Sequence, residues 1–203
     1  MFTDSSGLMP EWLENTLAIG GVAIFVVAIA VAATLTGGLA GAALMAVAFS
    51  TGIGAYSGLS TAIEDGTSIA AGVLSGGLKG FATGTAIGLG IMTGGGAFSA
   101  FGGLAAFGGS LAFNFGVGIG CNAIDSKMNN RDFSWNNAIN NGFKQMASGA
   151  FAFAVGGLIG ASGFYNIPGQ TKMFSSQWFG NTASGLLFKA VYYYGFDAVI
   201  WMI

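Results

Sequence analysis

The sequence contains no histidine, one cysteine (Cys121), two prolines, six Lys or Arg and eight Asp or Glu among 203 residues. Each scarcity excludes something. Without histidine there is no imidazole acid or base, no histidine metal ligand and no charge switch near neutral pH. A single cysteine allows neither an internal disulfide nor a thiolate metal cluster. Between Gly120 and Asn122, Cys121 reads as a small packing residue. No nucleophile stands beside a base, so covalent catalysis has no candidate residues. The stretch Gly76-Gly77-Leu78-Lys79-Gly80 lacks the spacing and the following hydroxyl of a phosphate-binding loop. Gly116-Val117-Gly118-Ile119-Gly120 is only a fragment of a dinucleotide fingerprint. The expectation is a protein that is not an enzyme, with no catalytic residues, cofactor or metal.

Charge scarcity excludes more. The net charge is −2 and no basic run exists, so there is nothing to neutralise the phosphates of nucleic acid. Fourteen charged residues cannot clothe a soluble domain, in which about a quarter of residues are charged. Disorder needs the opposite composition, low hydrophobicity and high charge. What is present is 53% hydrophobic residues and 37 glycines. The solvent such a chain suits is a bilayer.

The few charges are segregated. They leave charge-free runs at 15–63, 80–124 and 145–171. A spanning helix needs about 20 mostly apolar residues, so the first two runs can hold two spans each and the third one. Candidate helical spans are 16–35, 39–60, 68–92, 97–123, 147–165 and 182–203. Breaks are expected at Gly37-Gly38, Glu64-Asp65-Gly66, Gly94-Gly95-Gly96, the Asn-rich island 125–144 and Ile167-Pro168-Gly169. Strands compete for Phe-rich stretches such as 98–115. A membrane barrel, however, needs alternating polar and apolar residues, and apolar residues here run on continuously. The segment before residue 17 is acidic or neutral, unlike the basic start of a secretory signal. The first basic residue is Lys79, so loop charge gives no orientation signal.

Glycine is ordered. Gly72, Gly76, Gly80, Gly84 and Gly88 recur at four-residue spacing, and Ser50, Gly54, Gly58, Ala62, Gly66 and Ala70 keep the same spacing with small residues. Gly108, Ala112, Gly116 and Gly120 repeat it, as do Gly156 and Gly160. Glycine inside a helix costs about 1 kcal/mol relative to alanine in water. In a bilayer, small residues at this spacing let helix backbones approach closely. The helix-packing or pore-lining candidates are therefore Gly54, Gly58, Gly72, Gly76, Gly80, Gly84, Gly88, Gly116, Gly120, Gly156 and Gly160. They suit either an assembly around a pore or a tightly packed monomer. Lys79, inside the longest stripe, is the candidate functional charge, since an ionisable residue in a span is costly; snorkelling from a partly embedded helix is the plain alternative. Lys189, Tyr193 and Asp197 are spaced by four and suit a surface-lying helix. The polar island reads as an extramembrane connector followed by a short helix capped at Ser134.

A lead-in, Gly7-Leu8-Met9-Pro10-Glu11-Trp12-Leu13, precedes an apolar stretch broken at Thr36-Gly37-Gly38. Small-residue repeats follow, and then a second module opening at Asp132-Phe133-Ser134-Trp135. This arrangement resembles the glycine-zipper pore-forming C-terminal toxin domains of bacterial polymorphic toxins, of the Rhs-repeat or LXG type. The resemblance extends to about residue 165. It implies an all-α, membrane-inserting bundle of Gly-zipper hydrophobic helices that depolarises a competitor's cytoplasmic membrane. It also implies a secreted effector whose partners are the lipid bilayer, a cognate immunity protein, a parent polypeptide or chaperone before delivery, and further copies of the chain. Residues 1–124 would form the lead-in and first hydrophobic module. Residues 125–203 would form the connector and second module of one functional domain. A small integral membrane channel, transporter or holin-like protein is the alternative.

Overall fold

The computed structural model describes residues 10–161, apart from 37, 95 and 98. The expected break at 167–169, the span 182–203 and the Lys189–Asp197 pattern lie outside the described residues. Five helices and no strands occur among those described: α1 (Glu11–Thr36), α2 (Gly38–Asp65), α3 (Ile69–Gly94), α4 (Ala100–Met128) and α5 (Trp135–Ala161). The described part of the chain is all-α, as the unbroken apolar runs imply.

Local chemistry sets the boundaries. Gly66 ends α2 at a φ of +62°, and Gly96 turns the chain between α3 and α4 at +77°, left-handed backbone that favours glycine. Serines begin the next three helices. The Ser68, Ser99 and Ser134 hydroxyls accept from the N–H groups of Ala71, Gly102 and Asn137 at 3.2, 3.2 and 3.4 Å, filling donors that a helix start leaves empty. The island differs from its expected form in extent. The helix starting after Ser134 runs without interruption into the apolar stretch expected at 147–165, as far as Ala161. Once capped, its asparagines are tolerated in a helix, so connector and span become one element.

The helices alternate up and down. Gly58 meets Gly72 and Gly54 meets Gly76, so α2 and α3 are antiparallel. Thr93 meets Gly103 and Ala82 meets Asn114 between α3 and α4. α3 sits centrally, touching the other four. One end of the bundle gathers Glu11, Glu14, Glu64, Asp65, Asp125, Lys127, Arg131 and Asp132. The other, formed by the α1–α2 and α3–α4 junctions, holds no charged residue among those described.

The size distribution is reversed relative to a water-soluble protein. The largest fully buried side chains are Ile87, Asn114, Cys121, Ser50 and Ser110. The remaining interior is mostly alanine and glycine. Outside stand Trp12, Ile24, Val27, Phe101, Leu104 and Leu158, all more than 60% exposed. Among the described residues, three helices are long and apolar enough to cross a membrane: residues Glu11–Ala33, Gly38–Asp65 and Ala100–Met128. In α1, the most apolar of them, 11% of the apolar window is buried. The glycine-rich α3, expected as a span at 68–92, is not among the three. It is the enclosed helix instead.

Candidate functional site

Between α2 and α3 the expected stripe residues come together. A Cβ on Gly54 or Gly76 would strike the other's carbonyl oxygen, and Gly58 and Gly72 stand in the same relation. Gly80 lies on the backbone of Ser50, Gly84 on Ala46 and Val47, and Gly88 on Ala43. Gly156 lies on the backbone of Ile87, where α5 meets α3, and Gly160 is buried. Gly116 and Gly120 behave differently: a Cβ on either would meet nothing within 4 Å. The packed side of α4 is the other one, where Gly103 meets Thr93, Asn114 meets Gly149, and Gly118 lies against Asn141 and Gly142. Four-residue spacing alone did not distinguish the two sides.

Because the α2–α3 face is closed by backbone against backbone, no room for chemistry remains there. The polar groups lie on the adjacent side of α3, one residue before each stripe glycine. Ser75, Lys79 and Thr83 follow at i, i+4 and i+8, which places them on one face. Opposite them are Ser110, Asn114, Cys121 and Asp125 of α4 and Gln145 of α5. The Gln145 amide nitrogen donates to the Lys79 carbonyl, the Thr83 hydroxyl and Asn114 Oδ1 at 3.1, 3.2 and 3.1 Å. Two N–H groups thus face three acceptors, and one is shared. Asn114, fully buried, donates to the carbonyls of Ala82 and Ser110 at 3.3 and 2.9 Å.

Toward the charged end, Ser75 donates its hydroxyl to Asp125 Oδ1 at 2.5 Å, and the Cys121 thiol donates to the Ser75 carbonyl at 3.4 Å. Lys79 is half-buried. It and Asp125 are the charges within electrostatic reach of Cys121. The seam opens into a polar cleft of about 240 Å³ lined by Asn122, Asp125, Ser126, Arg131, Asp132, Ser134 and Asn137. Asp125 belongs to both seam and cleft. The seam extends from Ser110 to Asp125 on α4, about 22 Å at 1.5 Å per residue. Two of its buried polar atoms, Ser110 Oγ and Asn122 Oδ1, have no hydrogen-bond partner. A third such atom, Ser50 Oγ, lies on α2.

Of the expected functional residues, Lys79 borders this seam. The amides were missed, although Asn114 and Asn122 are the only amide side chains in the charge-free run 80–124. Ser75, Lys79 and Thr83 share a spacing that aligns them. No family model, curated protein or solved structure matches the chain.

Proposed function

We propose that the chain permeabilises membranes. It lies in the bilayer as a helical bundle and acts as a delivered antibacterial toxin domain that collapses the potential of a target cell's cytoplasmic membrane. The observation that supports this most is the reversed size distribution. Burying alanine and glycine while exposing Ile24, Val27, Phe101 and Leu158 gives water-driven folding little to act on. In lipid the same arrangement is favourable, because large side chains contact acyl chains while small ones let helices pack. Backbone contact between α2 and α3 supports reading their shared face as a glycine zipper. Before delivery, exposed α1 needs a cover, which a parent polypeptide, chaperone or immunity protein would supply.

Expression in bacteria, followed with a voltage-sensitive dye and carbonate extraction of the membranes, tests the reading. Depolarisation by a carbonate-resistant protein is expected. Growth arrest at unchanged potential, or extraction into the soluble fraction, overturns it. A resident channel or transporter is the second reading, favoured by a seam completed within one copy. A neighbouring gene whose product restores growth supports the toxin; growth without arrest at full expression supports the resident protein.

A further inference from the structure

We infer that the cleft at the charged end seats a lipid headgroup in which a phosphodiester is joined to a primary amine, as in phosphatidylethanolamine. This rests on the reading of the chain as a membrane-permeabilising protein that lies in the bilayer. Tryptophan sets the depth, because it collects where hydrocarbon meets water. Trp12 lies in the first turn of α1 and Trp135 opens α5, both exposed and both at the charged end. Phe133 packs edge-on against Trp135, with ring centroids 5.0 Å apart. The cleft, which includes Asp132 and Ser134 on either side of Phe133, therefore lies at headgroup level. Its volume of about 240 Å³ is below the roughly 300–1,000 Å³ of pockets that bury drug-sized ligands. That suits a headgroup whose acyl chains stay outside.

The lining carries both signs of charge. Arg131 and Asp132 make no ion pair among the described residues. The connector that bears them is pinned to its surroundings. The Arg131 N–H donates to the Ser126 carbonyl at 2.8 Å, and Asn129 Oδ1 accepts from the Ser68 N–H at 2.8 Å. A planar guanidinium grips phosphate oxygens in pairs. Arg131 also stands three residues before the Ser134 cap, where the start of α5 adds a positive dipole. The same cleft offers acceptors for an ammonium. Asp125 receives the Ser75 hydroxyl on Oδ1, which leaves Oδ2 for another donor. Asn122 Oδ1 is buried without a partner. Two carboxylates against one guanidinium make the lining net negative, which disfavours an anionic headgroup such as phosphoglycerol. A choline has no N–H to give, so it would leave these acceptors unsatisfied.

Native mass spectrometry counts the lipid that the full chain retains. The chain is released from detergent micelles doped equally with phosphatidylethanolamine, phosphatidylcholine and phosphatidylglycerol of matched acyl chains. One phosphatidylethanolamine per chain is expected, retained about tenfold over the other two, the preference that one charge-assisted hydrogen bond supplies. Arg131→Gln should lower its retention about tenfold, and Asp132→Asn should bring it down to that of phosphatidylcholine. Both positions are exposed, so helix content by circular dichroism should not change. Lys127→Gln, at the same end but outside the lining, should leave retention as in the wild type. Soluble glycerophosphoethanolamine in tenfold excess should leave the lipid in place; displacement would overturn the bilayer as the source of the ligand. Equal retention of the three lipids, retention of none, or an equal loss in Lys127→Gln overturns the site and leaves the membrane-permeabilising reading standing. That reading falls instead if the wild type yields to carbonate extraction.

Discussion

A Cβ added to Gly58 would fall on the carbonyl oxygen of Gly72. Two helices therefore touch backbone to backbone at a point where any other residue must push them apart. The same holds at Gly54 and Gly76.

Gly58→Ala and Gly76→Ala are thus expected to destabilise the bundle by about 1–3 kcal/mol each, the usual cost of overpacking. Gly76→Leu and Gly80→Leu should abolish depolarisation while the protein still reaches the membrane. Gly116→Ala and Gly120→Ala meet open space and should gain up to about 1 kcal/mol from helix propensity. Unfolding in mixed detergent micelles measures all four stability changes; equal losses would show that the α2–α3 face is not special.

Asn114→Ala removes one acceptor of the Gln145 amide, together with its own donors to Ala82 and Ser110. A loss of about 1–3 kcal/mol is expected, since a buried Gln145 N–H loses an acceptor and a small cavity is left. Asn114→Leu combined with Gln145→Leu should cost less than the sum of the single changes. A double-mutant cycle measures the difference, and strict additivity would mean the two amides act independently.

Ser50 presents the opposite case. Its hydroxyl is buried without a partner, so Ser50→Ala removes a desolvated polar group and should stabilise by about 1 kcal/mol. Ser50→Val should instead destabilise, because the Ser50 Cβ already crowds the position of Gly84. The same unfolding measurement separates the two, and a destabilised alanine variant would reveal a missed hydrogen bond.

Val27 stands on the outer face of α1, 62% exposed. Val27→Asp breaks no interior contact, so helix content in detergent should be unchanged. Insertion should become less favourable by about 2.5–3.5 kcal/mol, the cost of aspartate at a helix centre in lipid. Carbonate extraction of the variant measures this; full retention in the membrane would place α1 away from lipid.

Much of the architecture was legible in the residues. Unbroken apolar runs imply helices, and Gly66 and Gly96 turn the chain where paired polar or repeated small residues mark breaks. The stripe from Gly72 to Gly88 gave the α2–α3 face, because small residues at fixed spacing leave a groove that another helix can enter. The stripe from Gly108 to Gly120 has the same local form, yet neither Gly116 nor Gly120 touches a neighbour. Spacing describes one helix; contact also depends on where the second lies. The island at 125–144 reads as a connector followed by a short helix capped at Ser134, whereas Asn136, Asn137, Asn140 and Asn141 lie within a helix that continues to Ala161. The serine cap and the burial of Ala138, Gly142 and Gln145 hold that first stretch in the helix. The Asn114–Gln145 pair joins residues 31 positions apart in sequence, a distance over which no local pattern carries information.

The end of the bundle that holds no charge among the described residues has one more consequence. Dragging ionised groups through hydrocarbon is slow because each must shed its hydration. A bundle laid against a bilayer can push the α1–α2 and α3–α4 junctions through without meeting that toll, whereas the opposite end would carry eight charges with it. On the proposed reading, the charges of the described residues therefore favour the α1–α2 and α3–α4 junctions as the leading end.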